Sequence, residues 1–199
     1  MRRFFVWSLV LITIAVAAFT YLRGTPFGKS HAMVHLGIDK PAAVNPQEKY
    51  FRAKLKKGTH VDSIVVVKHL RLMSVYQRDT LLKIYRVALG DTPVGHKHFQ
   101  GDEKTPEGLY TIFDKNPNSI CHKNLGISYP NNADRAYAQK MGKPVGGDVK
   151  IHGLPNGQGY IGKAHLLDDW TNGCVAVTDE EIDELYAHTS TDIPINILP

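Results

Sequence analysis

The pattern of apolar and polar positions predicts a domain built mainly from β-strands. Three β-branched or aromatic runs follow one another between residues 60 and 90, separated by short breaks. Short breaks favour antiparallel neighbours, because a parallel crossover needs a longer connection. Runs of the same kind occur later in the chain. The predicted strands are Asp62–Lys68, Arg71–Tyr76, Leu81–Leu89, Leu109–Phe113, Val149–His152 and Ile193–Leu198.

Two helices are predicted within this β-rich region. The first covers Asn131–Met141 and ends at Gly142, a residue that commonly terminates helices. The second has the clearest helical pattern in the chain, T-D-E-E-I-D-E-L-Y-A-H. Thr178 is its predicted N-cap, and Glu181 stands three residues later, as a capping box requires. The fold class expected for residues 60–199 is therefore mainly β with a few helices.

The N-terminus has a different pattern. Two arginines precede an uncharged run of 19 residues, Phe4–Leu22. At about 1.5 Å per helical residue this run nearly crosses a hydrocarbon layer about 30 Å thick. It is interpreted as an uncleaved inner-membrane anchor or, if cut after Ala15-Val16-Ala17, as a signal peptide. Residues 1–23 are thus predicted to form an anchor or signal helix, and both alternatives place the later domain in the periplasm or cell envelope.

Residues 24–59 are predicted to be a basic linker with a short helix around residues 47–55. The whole chain carries a formal charge of +5, but the first 59 residues hold ten basic and two acidic side chains, a balance of +8. The remaining domain has a balance of −3. A basic stretch beside a membrane segment can attract anionic lipids or an anionic wall polymer, or simply form a solvated face. No feature of the chain indicates nucleic-acid binding.

Cys174 is one of only two cysteines and lies in D-D-W-T-N-G-C-V-A-V. A buried structural cysteine and a nucleophile are both compatible with this context. A nucleophilic thiol needs a base, and His152, at the end of a predicted strand and before Gly153, is the candidate. The Gly153 carbonyl could accept the other ring N–H of His152 and fix its tautomer. The glycine before Cys174 permits a tight turn whose amides, from Gly173 and Cys174, could bind an oxyanion.

Other polar residues have less specific interpretations. Cys121 could form a disulfide with Cys174, although this would inactivate a nucleophile. His165 is expected to be an exposed loop residue and Trp170 either a core residue or a pocket wall. The spacing of one further cluster matches no standard zinc site, so no metal is predicted from His96, His98, Asp102 and Glu103.

Several of these motifs together resemble the L,D-transpeptidase catalytic domain, also called YkuD, and most closely its YafK-like branch. The resemblance covers most of residues 60–199 and depends on the order of the motifs. They are G-D-x-K-T-P-E-G-x-Y from Gly101, I-S-Y-P-N from Ile127, I-H-G from Ile151, I-G from Ile161 and T-N-G-C-V from Thr171.

The resemblance implies a β-sandwich-like fold and a cysteine enzyme that needs no cofactor. It assigns Cys174 as nucleophile, His152 as base and proton donor, and the Gly153 carbonyl as the group that orients His152. Asn172 and Gly173 are expected to bind the oxyanion or substrate. The implied substrates are peptidoglycan stem peptides, with an amine of another stem peptide or of a lipoprotein as acyl acceptor. One branch of the family instead cleaves lipoprotein from the wall with water.

Two positions depart from the commoner family pattern. Asn172 stands where a histidine is common, and Ala176 stands where an arginine could hold a substrate carboxylate. The first leaves His152 as the only evident base, and the second makes the choice of donor and acceptor uncertain from sequence. A hydrolase using the same site, or a membrane-tethered wall-binding module without turnover, therefore stays an alternative to the transpeptidase.

Overall fold

The computed structural model describes residues 47–199. The chain divides into two compact units, Met1–Lys49 and Tyr50–Pro199. The predicted N-terminal helix and most of the predicted linker lie outside the described residues. A short helix, α1 (Glu48–Arg52), forms where the sequence predicts one at the end of the linker. Within the described part, no helix is both long and apolar enough to cross a bilayer.

Eight strands form one continuous sheet in the order β3-β2-β1-β8-β4-β5-β6-β7. All six predicted strands are present, whereas β5 and β7 are not predicted by the hydrophobic pattern. The strands are β1 (Ser63–Val67), β2 (Leu72–Gln77), β3 (Thr80–Arg86), β4 (Gly108–Ser119), β5 (His122–Ile127), β6 (Lys150–His152), β7 (Val175–Ala176) and β8 (Ile193–Leu198).

The strand order brings distant segments together. Strands β1, β2 and β3 are antiparallel neighbours as predicted, but β8 pairs in parallel with β1 and β6 pairs in parallel with β7. Just beyond β3, Ala88 pairs with Ala176 of β7 through two backbone hydrogen bonds of 3.0 and 2.8 Å. The two edges of the sheet therefore meet, and the sheet curls around its core.

The core fills the inside of this curl. In β8 the buried residues Ile193, Ile195 and Ile197 alternate with half-buried ones, as expected for a strand with one face on the core. Each fully buried side chain of this size stabilises the fold by about 1.5–3 kcal/mol relative to leaving it exposed. The largest fully buried side chains are Tyr85, Ile64, Met73, Leu89, Ile112, Leu125, Ile127, Ile151, Leu154, Ile182, Leu185 and Ile195. The predicted mainly β class is confirmed.

Two further helices, α2 (Asn132–Lys140) and α3 (Asp179–His188), lie close to their predicted positions. The predicted capping box of α3 is present. The Glu181 amide donates to Thr178 Oγ1 at 3.3 Å, and the Thr178 amide donates to Glu181 Oε2 at 3.1 Å. Because α3 begins shortly after β7, its first turn lies next to the loop that follows β6.

Candidate active site

Cys174 immediately precedes β7, beside the strand that ends in His152. In the parallel β6–β7 pair, Ile151 lies opposite Val175 and His152 lies opposite Ala176. Ile151 and Val175 are fully buried in the core. Because side chains alternate along a strand, His152, Ala176 and Cys174 project from the other face of the sheet. The register thus places His152 at the end of β6 and Cys174 directly before β7, on the same face of the sheet.

Thr171 fixes the turn that holds Cys174. Its hydroxyl donates to the Cys174 carbonyl at 2.8 Å and accepts from the Gly173 amide at 3.1 Å. The Gly173 amide, predicted as an oxyanion donor, is therefore engaged within the turn. The neighbouring candidate, Asn172, is exposed.

Gly173 itself is required by its backbone and its surroundings. Its φ of 128° lies in a region that residues with a side chain rarely adopt, and an added Cβ would lie 2.6 Å from the Lys104 carbonyl oxygen. Gly90 is equally constrained, since an added Cβ there would clash with the Glu103 carbonyl oxygen. The segment 103–105 therefore packs directly behind the nucleophile turn.

Buried lysines hold that supporting segment in place. Lys68 Nζ donates to the Thr105 carbonyl at 2.8 Å, to the Gly95 carbonyl at 2.6 Å and to Glu107 Oε1 at 2.9 Å. Lys97 Nζ donates to Asp102 Oδ1 at 2.7 Å. The T-P-E-G motif thus acts as a rigid backing for the turn.

The His152 ring is fixed by its backbone neighbour. Its Nδ1 lies 2.6 Å from the Gly153 carbonyl oxygen, so Nδ1 carries the proton and Nε2 is left as the basic nitrogen. The side chain is 7% exposed. Burial lowers the pKa of His152, although the hydrogen bond to Gly153 partly opposes this. The His152 ring therefore stays neutral down to a lower pH than the ring of an ordinary histidine.

Gly153 packs closely against the first turn of α3. An added Cβ would lie 2.6 Å from Asp179 Oδ1 and 3.0 Å from Ile182 Cγ2. The same Asp179 oxygen accepts from the Leu154 amide at 2.8 Å. Asp179, the first residue of α3, therefore holds the backbone that orients His152. Sequence reasoning assigned no role to this aspartate.

Cys174 is half-buried and uncharged at rest. Burial raises the pKa of its thiol, while the backbone amide and the ammonium of Lys150 act in the opposite direction. The thiol donates to the Asp148 carbonyl at 3.7 Å. With the His152 pKa lowered and the Cys174 pKa raised, the resting pair is a neutral thiol and a neutral imidazole at neutral pH.

The expectation that His165 is an exposed loop residue is wrong. His165 is only 7% exposed and lies in a 3-10 helix, Gly159–Leu167. Trp170 Nε1 donates to His165 Nδ1 at 3.4 Å. The Trp170 ring also packs edge-to-face on His152, with ring centroids 5.7 Å apart. Trp170 therefore forms part of the wall around His152, and His165 supports it from behind.

Ala176 is fully buried opposite His152. A cation that acts on Cys174 comes instead from β6. The Lys150 side chain, 28% exposed, pairs with Asp148 Oδ1 at 2.5 Å. Its ammonium is close enough to lower the pKa of Cys174. Lys150 was not identified from the sequence.

Cys121 lies at the tip of the β4–β5 hairpin, and both cysteines are free thiols. The Cys121 amide donates to Ser119 Oγ at 3.0 Å. Burial raises the pKa of Cys121, with a smaller opposing effect from Lys150.

The histidine-rich loop has structural hydrogen bonds. His96 Nδ1 accepts from the Glu107 amide at 2.9 Å, and His96 Nε2 donates to Asp134 Oδ1 at 2.9 Å. Both ring nitrogens are thus occupied. Asp102 accepts backbone hydrogen bonds from His98, Phe99 and Lys104. Across residues 47–199 no group of three or more His, Cys, Asp and Glu side chains has an arrangement that could hold a metal ion.

Comparison with known families identifies the class of protein that this fold and site define. The model of the L,D-transpeptidase catalytic domain family, YkuD, matches residues 61–197. The chain therefore belongs to the YkuD family. The matched residues include helices α2 and α3 and every described strand, apart from Leu198 at the end of β8.

Among individual proteins, the chain is similar to YafK of Escherichia coli (strain K12), a protein assigned to the L,D-transpeptidases, and to its counterpart in strain O157:H7. Each is 28% identical over 155 residues, which are 75% of this chain and 54% of the relative. The chain thus spans about half the length of the curated relatives it matches.

Solved structures share the fold. The helical cell shape determining protein Pgp2 from Campylobacter jejuni superposes with a TM-score of 0.53 at 24% identity, covering 70% of this chain and 48% of that chain. Bd1075 from Bdellovibrio bacteriovorus superposes with a TM-score of 0.50 at 22% identity, covering 73% and 50%. The mainly β curled sheet is therefore that of the L,D-transpeptidase fold.

Proposed function

We propose that this protein is a cysteine acyltransferase of the L,D-transpeptidase type that acts on peptidoglycan stem peptides. Cys174 is the nucleophile, His152 is the general base and acid, and the Gly153 carbonyl holds His152 in the productive tautomer. The observation that carries the proposal is the pairing of β6 with β7. It puts an imidazole with a free Nε2 at the end of β6 and a half-buried thiol directly before β7, on one face of the sheet.

The first half-reaction forms a thioester. As Cys174 Sγ attacks the carbonyl carbon of the donor peptide, its proton passes to His152 Nε2. The carbonyl oxygen becomes an oxyanion, for which we assign the Cys174 amide and the exposed Asn172 carboxamide as donors, because the Gly173 amide is engaged by Thr171. The intermediate collapses, His152 returns its proton to the departing amine, and the terminal D-amino acid leaves.

The second half-reaction transfers the acyl group. An amine of another stem peptide or of a lipoprotein attacks the thioester while His152 Nε2 removes its proton, and the thiolate of Cys174 leaves and is reprotonated. The neutral resting pair suits this cycle, because a buried neutral imidazole can accept a proton at each attack. Water in place of the amine would give hydrolysis through the same thioester.

The substrate class follows from the family and agrees with the position of the domain in the chain. The Campylobacter jejuni neighbour is described as a helical cell shape determining protein. The uncharged run Phe4–Leu22 after two arginines supports placement of the domain in the periplasm or envelope, anchored to the inner membrane or released by cleavage.

The test is to incubate the full-length chain in detergent micelles with defined muropeptides and to follow products by mass spectrometry. The expected products are released D-alanine together with new cross-links, or with a hydrolysed tripeptide if water is the acceptor. Cys174→Ala should lower the rate by at least about 10⁴-fold. The matched control is Cys121→Ala, which removes the other thiol and should stay within about twofold of the parent.

A non-catalytic wall-binding module predicts a different result. An activated thiol should open the strained ring of a carbapenem and retain it as an adduct on Cys174. The absence of both an adduct and muropeptide turnover, under reducing conditions, would reject the enzymatic proposal. Equal turnover by Cys174→Ala and the parent would reject the assigned nucleophile.

A further inference from the structure

Asn124 is a buried polar residue beside His152 with one unused hydrogen-bonding atom. It lies on β5 directly opposite His152 of β6. Its side chain is 1% exposed, and its carboxamide oxygen, Oδ1, has no hydrogen-bond partner. Leaving a buried acceptor unpaired is unfavourable, because the hydrogen bond that it would make to water in the unfolded chain is not replaced. A residue that only filled space here would be more favourable if it were apolar.

The strand register brings the two side chains close together. The Gly153 amide donates to the Lys123 carbonyl at 3.3 Å, so the next pair along, Asn124 and His152, is a non-hydrogen-bonded pair. Side chains approach most closely in such pairs, with Cβ atoms about 4.5–5.5 Å apart. Both side chains lie on the face opposite the core residues Leu125 and Ile151.

The ring of His152 changes its hydrogen-bonding needs during the proposed cycle. At rest Nδ1–H donates to the Gly153 carbonyl and Nε2 is an acceptor, so the ring has no donor to offer Asn124. When Nε2 takes the thiol proton, the ring becomes a buried cation with a second N–H. A nearby carbonyl oxygen that is unpaired at rest then gains a partner only in the charged state.

We propose that Asn124 is a positioning residue whose carboxamide oxygen accepts a hydrogen bond from His152 Nε2–H when the ring is protonated, sharing that proton with the sulfur or the leaving amine. The interaction is absent in the resting pair and present when charge develops, so it lowers the barrier without tightening ground-state binding. This inference rests on the proposed acid–base role of His152 and adds a residue that neither the motifs nor the family assignment identifies.

Two substitutions at Asn124 should move the pKa of His152 in opposite directions. Asn124→Leu removes the acceptor and keeps the number and branching of the side-chain heavy atoms, so the imidazolium loses a partner and the pKa of His152 should fall by about one unit. Asn124→Asp places a negative charge beside the ring, so the pKa should rise. Asn118→Leu, the same change at an exposed asparagine of the adjoining hairpin, is the matched control and should leave the pKa unchanged.

The measurement that does not depend on turnover is a histidine NMR titration of the full-length chain in detergent micelles. The His152 signal is assigned by its loss in His152→Gln. The second measurement is the rate of carbapenem acylation of Cys174 against pH. Asn124→Leu should slow acylation at neutral pH by about 10- to 100-fold, as expected for loss of a hydrogen bond to a charged group.

Thermal unfolding separates this role from a structural one. Because Asn124→Leu removes an unpaired polar group, its unfolding midpoint should be no lower than that of the parent. A lower midpoint with an unchanged His152 pKa would mean a structural role and would overturn the inference, as would pKa shifts of the same sign in both variants. If the parent forms no carbapenem adduct, the proposed function fails, while the titration still decides the role of Asn124.

Discussion

Two regions of the molecule differ in whether their buried polar groups have hydrogen-bond or ion-pair partners. In the region formed by β3 and α3, the buried Lys83 and Tyr85 both contact one carboxylate. Lys83 Nζ lies 2.5 Å and Tyr85 Oη lies 2.9 Å from Glu184 Oε2. The other carboxylate oxygen accepts from the Leu55 amide at 2.7 Å. Every charge in this cluster has a partner.

In the region formed by β5, β6 and β7, polar groups are buried without full pairing. Within the described residues, three buried side-chain atoms lack a hydrogen-bond partner: Asn124 Oδ1, His165 Nε2 and Thr189 Oγ1. The first two belong to residues around His152. The half-buried thiol of Cys174 has a long contact to the Asp148 carbonyl, and the Lys150 backbone amide also acts on it.

The difference shows which region holds the fold together and which is available for chemistry. A fully paired polar cluster is rigid and contributes to stability, whereas an unpaired buried group is a cost that persists where function needs it. The β3–α3 cluster should therefore respond to substitution through stability. Substitutions in the β5–β7 region should instead change the rate of the reaction at Cys174 and the dependence of that rate on pH.

The largest expected effect is on the paired region. Burial alone would raise the pKa of Glu184, but hydrogen bonds from Lys83 and two other donors outweigh it and lower that pKa. Lys83→Met should destabilise the protein by about 2–3 kcal/mol at neutral pH, because it leaves the half-buried Glu184 carboxylate without its cation. Denaturant unfolding measures the loss, and carbapenem acylation of the folded variant should stay within about twofold of the parent.

The pH dependence follows from the sign of that shift. A lowered carboxylate pKa contributes stability that is present above its ordinary value and lost as the pH falls through the lowered one. The difference in the free energy of unfolding between Lys83→Met and the parent should therefore become smaller as the pH is lowered. In the double variant Lys83→Met/Glu184→Gln, the uncompensated charge is gone and part of the stability should return. A difference in unfolding free energy that does not change with pH would contradict the pairing of Lys83 with the ionised Glu184 carboxylate.

Much of the fold is predictable from the sequence because its signals are local. The apolar run in Leu72–Gln77, the alternation in Ile193–Leu198 and the Thr178–Glu181 capping box each depend on a few neighbouring residues. β5 is missed because C-H-K-N-L-G-I has a weak alternation and a glycine. The parallel pairing of β1 with β8 joins residues more than a hundred positions apart, and no local pattern specifies it.

Some residues of the candidate site are likewise predictable from local motifs, and others are not. Cys174 and His152 stand in short motifs that indicate their chemistry directly. Asn124 does not, since its place beside His152 depends on the β5–β6 register. His165, between His152 and Cys174 in the sequence, is predicted to be an exposed loop residue, yet it is buried and contacts Trp170. Residues that act through tertiary neighbours have no signature in a single sequence.

A smaller effect is expected at Trp170, whose ring forms the wall around His152. Trp170→Leu removes the edge-to-face contact and admits water, so the His152 pKa should rise toward its ordinary value. Acylation of Cys174 by a carbapenem should slow by about tenfold at neutral pH because the ring is less well positioned. Trp170→Phe keeps the aromatic contact and should lose no more than about threefold. Equal rates for the leucine variant and the parent would show that the wall does not position His152.

The smallest effect is expected at Lys150, because its side chain is partly exposed and paired with Asp148. Its ammonium lowers the pKa of Cys174, so Lys150→Met should raise that pKa further and move thiolate formation to higher pH. The shift should be less than about one unit, since solvent screens the charge and the Lys150 backbone amide remains. Thiolate absorbance in a Cys121→Ser background measures it, and the exposed Lys163→Met is the matched control.

Salt separates the two ways in which Lys150 can act on the thiol. An effect of the ammonium is coulombic and should shrink as salt approaches about 1 M, where the screening length falls to about 3 Å. An effect of the backbone amide is a hydrogen bond and should persist in both the parent and Lys150→Met. A shift that high salt leaves intact would mean that the methionine has moved the β6 backbone. In that case the reactivity of Cys174 in the β5–β7 region would depend on strand geometry and not on a nearby charge. The β3–α3 cluster, which depends on paired charges, would then differ from it even more clearly.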